Sequence, residues 1–302
     1  MQSSVDHEKG NPSRLQGNES HPQRWLRDPH PQHHEPQGRR ISQRDRFQEP
    51  PVLHQKPKSP EEGRPDRPLQ QEIRQEVTLT DPSSASNSLR ILGFEVGPLQ
   101  ENTYLAGLGG EAVLVDPGFV NKPEFDRFAA ALEQHNWTLE AVLLTHAHVD
   151  HVAGLPYVLD VWPDVDVFLS DRNRGVWQTL PVQSELFGVP MRSLHVDPKP
   201  FPSGGRLQVG SLKMDVLHTP GHSPDHCAFW FREHDVLISG DVLFKESIGR
   251  TDIYGGDAQQ LTRSIREVVY ALPDNVRVLP GHGPETTVGW EKSHNPFVQA
   301  AR

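Results

Sequence analysis

The sequence predicts an α/β fold of two similar halves, sheet packed against sheet with helices outside, preceded by an extension that cannot build a core. Three observations carry this. From Leu89 onward short apolar strands give way to an amphipathic helix, and the same order recurs in the second half. Histidines and aspartates gather with glycine or proline where strands should end. Residues 1–88 hold 12 of the 28 prolines and 11 glutamines, and no sustained period of 2 or 3.6. We therefore divide the chain into a disordered extension, 1–88, and a folded domain, 89–302.

Within the domain, Leu89–Val96, Asn102–Ala106 and Ala112–Asp116 read as strands separated by Gly/Pro turns. Pro123–His135 is predicted helical: Phe125, Phe128, Ala129 and Leu132 recur at spacings of three and four, and proline suits a first turn. Ala141–Leu144 is an apolar run leading into the histidine cluster, and a helix is expected from about Val152, with Pro156 tolerable only near its first turn. Further strands are expected at Val165–Leu169, Arg206–Val209, Leu212–Leu217, Cys227–Phe231, Val236–Ser239 and Val276–Leu279, with a helix over Ala258–Ala271. Two such halves bury their apolar runs on both faces. In the extension, Leu69–Thr80 could form a transient helix, and Asp28–His34 reads as a solvated, histidine-rich tail.

The run Thr145-His146-Ala147-His148-Val149-Asp150-His151 places three imidazoles and a carboxylate in seven residues. Side chains two apart share a face of an extended backbone, so His146 and His148 can reach one ion while Asp150 and His151 reach another. Imidazole with carboxylate suits zinc, iron or manganese. Downstream, His222 lies in Thr219–His226, Asp241 follows Ser239-Gly240, and His282 sits in Leu279-Pro280-Gly281-His282-Gly283-Pro284.

With these motifs in this order the chain resembles the metallo-β-lactamase superfamily. Gly249-Arg250-Thr251-Asp252 and Asn295-Pro296-Phe297 are similar to its glyoxalase II-like, hydroxyacylglutathione hydrolase-type branch. The resemblance spans roughly residues 89–302. It implies the four-layer αβ/βα sandwich, with ligands at strand ends along one edge. It also implies two divalent metal ions, zinc first: His146, His148 and His222 hold one, Asp150, His151 and His282 the other, and Asp241 bridges them. The implied reaction is attack by a metal-bound hydroxide on the acyl carbon of a thioester such as S-lactoylglutathione or another hydroxyacyl-glutathione, with Asp150 and Asp241 at the reacting centre. A thiolate, with a thiol pKa near 8.5, can leave unassisted, whereas an amide nitrogen must be protonated. Longer glyoxalase II enzymes carry a C-terminal helical domain that grips glutathione, and only 20 residues follow His282 here.

Lys245 and Arg250 could attract an anionic substrate, or Arg250 could simply pair with Asp252. His226 could support a metal ligand or be a strand-end histidine. Other readings are a mononuclear iron persulfide dioxygenase, similar at Gly249–Asp252, a lactonase or β-lactamase-type hydrolase, and a non-catalytic metal-binding module. Composition narrows the partners. The extension balances 13 Lys/Arg against 13 Asp/Glu, so the net charge of −10 falls on residues 89–302, an acidic surface that disfavours nucleic acid. Nucleases of this superfamily also carry inserted domains, and 41 residues from Asp241 to His282 leave no room for one. No stretch approaches the ~18 apolar residues of a membrane span. Cys227, the single cysteine, lies in an apolar strand and reads as a core residue. Lacking a signal-like N-terminus, the protein is expected in the cytoplasm. Its partner is expected to be a small-molecule thioester, and no motif specifies a subunit number.

Overall fold

The computed structural model describes residues 76–78, 88–202 and 205–299. Its first strand, β1 (Glu76–Thr78), pairs antiparallel with Arg90–Leu92, so this part of the expected Leu69–Thr80 helix is extended instead. The rest of that segment, the Asp28–His34 run and the disorder expected of the extension lie outside the described residues.

The first half continues with β2 (Arg90–Val96), β3 (Glu101–Leu108) and β4 (Glu111–Val115), an antiparallel meander. Helix α1 (Lys122–His135) starts where the Asn121 side chain accepts from the Glu124 N–H, and ends at Asn136 in the left-handed region. It buries Phe125, Phe128, Ala131 and Leu132. Through α1 the chain crosses to β5 (Thr138–Leu143), parallel to β4. The helix expected from Val152 is two short ones, α2 (Val149–Val152) and α3 (Leu155–Val161), broken at Gly154, with Pro156 in the first turn of α3. Helix formation thus begins inside the histidine run: His148 stays extended, and Asp150 and His151 ride on a helical turn. Strand β6 (Asp166–Phe168), parallel to β5, closes the first six-stranded sheet, β1-β2-β3-β4-β5-β6. Two unforeseen short helices follow, α4 (Arg174–Gln178) and α5 (Leu180–Phe187).

The second half repeats the plan. β7 (Arg206–Val209), β8 (Leu212–His218), β9 (Cys227–Phe231) and β10 (Val236–Gly240) form an antiparallel meander, followed by a small hairpin, β11 (Leu243–Phe244) and β12 (Ser247–Ile248). Helix α6 (Ala258–Arg263) widens into a π turn over Ser264–Val269, where the Ser264 hydroxyl donates to the Pro220 carbonyl at 2.6 Å. The crossover ends in β13 (Arg277–Pro280), parallel to β10, then β14 (Thr286–Thr287) and α7 (Val288–His294), both unforeseen. The second sheet runs β14-β13-β10-β9-β8-β7.

Three apolar layers hold the sandwich. Phe94, Leu105, Leu114 and Val142 pack outward against Phe128 and Leu155. Between the sheets, Ile91, Val113 and Leu143 meet Phe229, Val236 and Ile238. Leu237 and Val278 pack outward against Leu261 and Ile265 of the second crossover. Helix, sheet, sheet, helix is the four-layer arrangement the sequence implies. Among the described residues no helix is long and apolar enough to cross a membrane. Phe229 is fully buried between the sheets, its ring 5.5 Å from that of Phe201. Phe229→Ala is expected to lower unfolding free energy by about 3–5 kcal/mol in chemical denaturation.

Candidate metal centre

Each meander crosses through a helix to a parallel neighbour, β4 to β5 and β10 to β13, and the carboxyl ends of these four strands open at one place. Asp116 follows β4, residues 144–151 follow β5, Asp241 follows β10, and Gly281-His282 follow β13. Among the described residues, side chains here converge in four groups, each with ligand atoms within 4.8 Å of one another: His146, His148 and His222; Asp150, His151 and His282; His146, His151 and Asp241; and Glu101, Asp116 and His151. Asp241 touches both triads, Oδ2 lying 3.5 Å from His222 Nε2 and 3.6 Å from His282 Nε2, with Oδ1 3.5 Å from His151 Nε2. All seven residues anticipated as ligands are brought together.

Hydrogen bonds orient the rings. Thr145 Oγ1 donates to Asp116 Oδ2 at 2.6 Å, which leaves it to accept from His146 Nδ1 at 2.9 Å and turns Nε2 toward the cluster. His151 Nδ1 donates to the same Asp116 oxygen at 3.0 Å. His222 Nδ1 donates to the Arg250 carbonyl at 2.8 Å, and His282 Nδ1 to the Leu99 carbonyl at 3.2 Å. In all four, one nitrogen is committed to the protein and the other faces the cluster, the arrangement a metal-binding imidazole requires. His146 Nε2, His151 Nε2 and Asp241 Oδ1 are buried with no hydrogen-bond partner, and burying such atoms unpaired is costly. A divalent cation fits this donor set.

The surrounding polar groups fix the backbone. Asp116 Oδ1 accepts from the Thr145 N–H at 2.7 Å, Asp225 Oδ2 from the Ala147 N–H at 3.1 Å, and Gln183 Oε1 from the Val149 N–H at 3.0 Å. The histidine run is thereby held by β4, by the other half and by α5. His226 Nε2 accepts from the Asp241 N–H at 2.9 Å, so this histidine supports the backbone of a ligand-type residue. Two glycines permit close approach: a Cβ at Gly281 would collide with Asp241 Oδ1 and lie 2.8 Å from His151 Cε1, and one at Gly249 would collide with the Asp241 carbonyl.

The side chains of Arg250 and Lys245 are exposed. The Arg250 guanidinium pairs with Asp252 at 2.8 and 3.0 Å, and the contribution Arg250 makes to the cluster is its carbonyl on His222. Lys245 is exposed in a groove with Glu285, Thr286, Thr287 and Trp290, next to Phe244, whose ring lies edge-on to His282. Sequence reasoning passed over Asp116, Thr145, Gln183 and Asp225. Asp116 carried a signal, since Asp-Pro-Gly ends an apolar strand as Ser-Gly-Asp does at 239–241, whereas Gln183 sits on a helix with no sequence signature. Cys227 is a core residue, its thiol pushed up to about 12 by burial.

The two triads differ electrostatically. Burial pushes His148 down to about 3 and holds His146 and His222 below the usual imidazole range, so the first triad is neutral at pH 7. For His151, burial opposes the charged ring, but Asp241, Asp150 and Asp116 outweigh it and push the pKa up. His282 is raised against burial by Asp150 and Asp241. Asp241, despite burial, is held far below the carboxylate range, chiefly by His151. Above its folded pKa His151 is free to bind a cation; below it, the proton competes. Loading the His146 triad is therefore expected to be nearly independent of pH near neutrality, whereas loading the His151 triad should release protons and weaken as pH falls. Titration calorimetry in buffers of different ionisation enthalpy checks this: buffer-independent heats throughout would contradict it.

Comparisons with known proteins place the chain in a family. The family model described as the metallo-beta-lactamase superfamily matches residues 96–282. "Probable metallo-hydrolase YqgX" of Bacillus subtilis (strain 168) is 38% identical over 208 residues, 67% of this chain and 94% of that protein. "Hydroxyacylglutathione hydrolase GloC" of Haemophilus influenzae is 36% identical over 191 residues, 63% and 88%. Among solved structures, BLEG-1 B3 metallo-beta-lactamase aligns with a TM-score of 0.63 at 37% identity, covering 69% of this chain and 99% of that one. TTHA1623 in a di-iron-bound form aligns at 0.61 and 36%, covering 68% and 99%. The matched family, its fold and the convergent histidines and aspartates imply divalent metal, and the chain belongs to the metallo-β-lactamase superfamily of metallo-hydrolases.

Proposed function

We propose that this protein is a two-metal thioesterase acting on a hydroxyacyl-thiol, with hydroxyacyl-glutathiones such as S-lactoylglutathione as the first substrates to consider. One observation carries the reading: a single carboxylate, Asp241, lies within 3.6 Å of an imidazole nitrogen from each of the two triads. A carboxylate has two oxygens and can serve two cations at once, reducing their repulsion at the ~3.5–4 Å separation of two-metal hydrolases. His146, His148 and His222 would hold one ion, and Asp150, His151 and His282 the other. Zinc suits this donor set, and the di-iron form of a similar protein makes iron the alternative.

When bound, such ions lower the pKa of water toward neutrality and polarise an acyl carbonyl. The chain's own groups do the rest. Thr145, Asp116 and the Arg250 and Leu99 carbonyls keep the coordinating nitrogens directed inward, and Asp241 stays ionised throughout the working pH range. A departing thiolate requires no proton, so no separate general acid is needed. The similarity to GloC supports a glutathione thioester. A small-molecule enzyme with one buried thiol suits the reducing cytoplasm.

A second reading, β-lactam ring opening, is favoured by the likeness to a B3 metallo-β-lactamase at 37% identity. Elemental analysis beside a panel of thioesters and β-lactams separates the two. One tightly held iron with oxygen uptake on glutathione persulfide would instead identify a dioxygenase. Asp241→Asn keeps the shape but removes the bridging charge, and is expected to lower metal content and thioester turnover together, turnover by about 10-fold or more. Unchanged turnover with full metal would refute the bridging role.

A further inference from the structure

We infer that Asn102 is the positioning residue that decides whether the second metal is held, acting through His282 and independently of the first metal. The inference rests on the two-metal reading above. After Pro280 the chain leaves the second sheet, its last ladder bond being Gly281 N–H to the Gly240 carbonyl at 2.9 Å. What fixes the next residues comes from the opposite half. The Asn102 side-chain NH2 donates to the Pro280 carbonyl at 3.0 Å and to the Gly283 carbonyl at 2.8 Å, while its backbone N–H donates to the Gly281 carbonyl at 2.8 Å. Both side-chain acceptors are carbonyls, so only the amide nitrogen can serve them, which settles the orientation of the group. One residue thus grips the backbone on both sides of His282.

Its neighbours act on the same loop. The Tyr104 hydroxyl donates to the Pro280 carbonyl at 2.8 Å, Glu101 forms an isolated antiparallel bridge with His282, and the Leu99 carbonyl accepts from the ring. The need is specific to this histidine. Its side chain is 26% exposed, against 0% and 4% for His151 and His222, so packing does less to hold it. The first triad is supported elsewhere: His146 by the Thr145 hydroxyl and His222 by the Arg250 carbonyl. Loosening the 280–283 loop therefore frees one ligand of the second ion and leaves the first site standing.

The test uses the full chain, loaded with zinc and equilibrated against graded chelator, with zinc per protein measured at each step. The unaltered protein is expected to hold about two ions, lost in two stages. Asn102→Ala should weaken the more readily lost ion by about 10–100-fold, the usual effect of removing a group that orients a ligand, with the tighter ion released at the same chelator concentration as before. Tyr104→Phe, which deletes one of the loop's hydrogen bonds, should shift the same stage by less. Where Asn102→Ala does not fold, Asn102→Ser and Tyr104→Phe carry the comparison. Two ions retained at unaltered affinity, or both weakened equally, would overturn the assignment to His282. A single release stage of one ion in the unaltered protein would instead overturn the two-metal reading itself.

Discussion

The carboxylate of Asp116 is the interaction on which the rest of the centre depends. Taking a carboxylate out of water costs several kcal/mol unless donors replace the solvent. Asp116 is 1% exposed and collects three of them: the Thr145 N–H and hydroxyl, and His151 Nδ1. Because the hydroxyl is spent on Asp116, Thr145 must accept from His146. One anion therefore sets the direction of a ring in each triad. Its backbone, at φ 50°, lies in the left-handed region that aspartate tolerates better than most residues, which turns the chain sharply at the end of β4.

The fold creates this position twice. Each half is a meander whose last strand crosses through a helix to a parallel neighbour, so Asp116 and Asp241 occupy equivalent places after β4 and β10. Their tasks have diverged. Asp116 faces protein donors and orients rings, whereas Asp241 turns an unpartnered oxygen into the cluster. The inter-sheet core, with Val115 and Leu143 from one sheet and Ile238 and Leu279 from the other, holds these strand ends at a fixed spacing. Precision in the polar centre is thus a property of apolar packing beneath it.

Much of this was legible in the sequence because its signals are local. Apolar runs with β-branched residues marked β4, β5, β10 and β13, an aromatic run marked β9, and the recurrence of Phe125, Phe128 and Leu132 at helical spacing marked α1. The seven ligand-type residues were legible because four of them crowd into one short run after an apolar strand, and His222, Asp241 and His282 each follow a glycine near a strand end. What escaped depended on tertiary placement. Nothing in Leu180–Phe187 announces that Gln183 will bond the backbone of the histidine run, and no local signal places the start of α2 inside that run. Arg250 shows the converse. Its charged side chain drew attention, while its carbonyl makes the contact with His222.

Each triad draws members from both halves: His146, His148, Asp150 and His151 precede β6, whereas His222 and His282 come after β7. A cation at either triad would therefore cross-link distant stretches of chain in the native state alone, since the unfolded polypeptide cannot bring them together. Resistance to heat and denaturant would then depend on ion supply, each ion adding RT ln(1 + [M]/Kd) to the folding equilibrium. Starved of metal, such a protein loses robustness along with its chemistry.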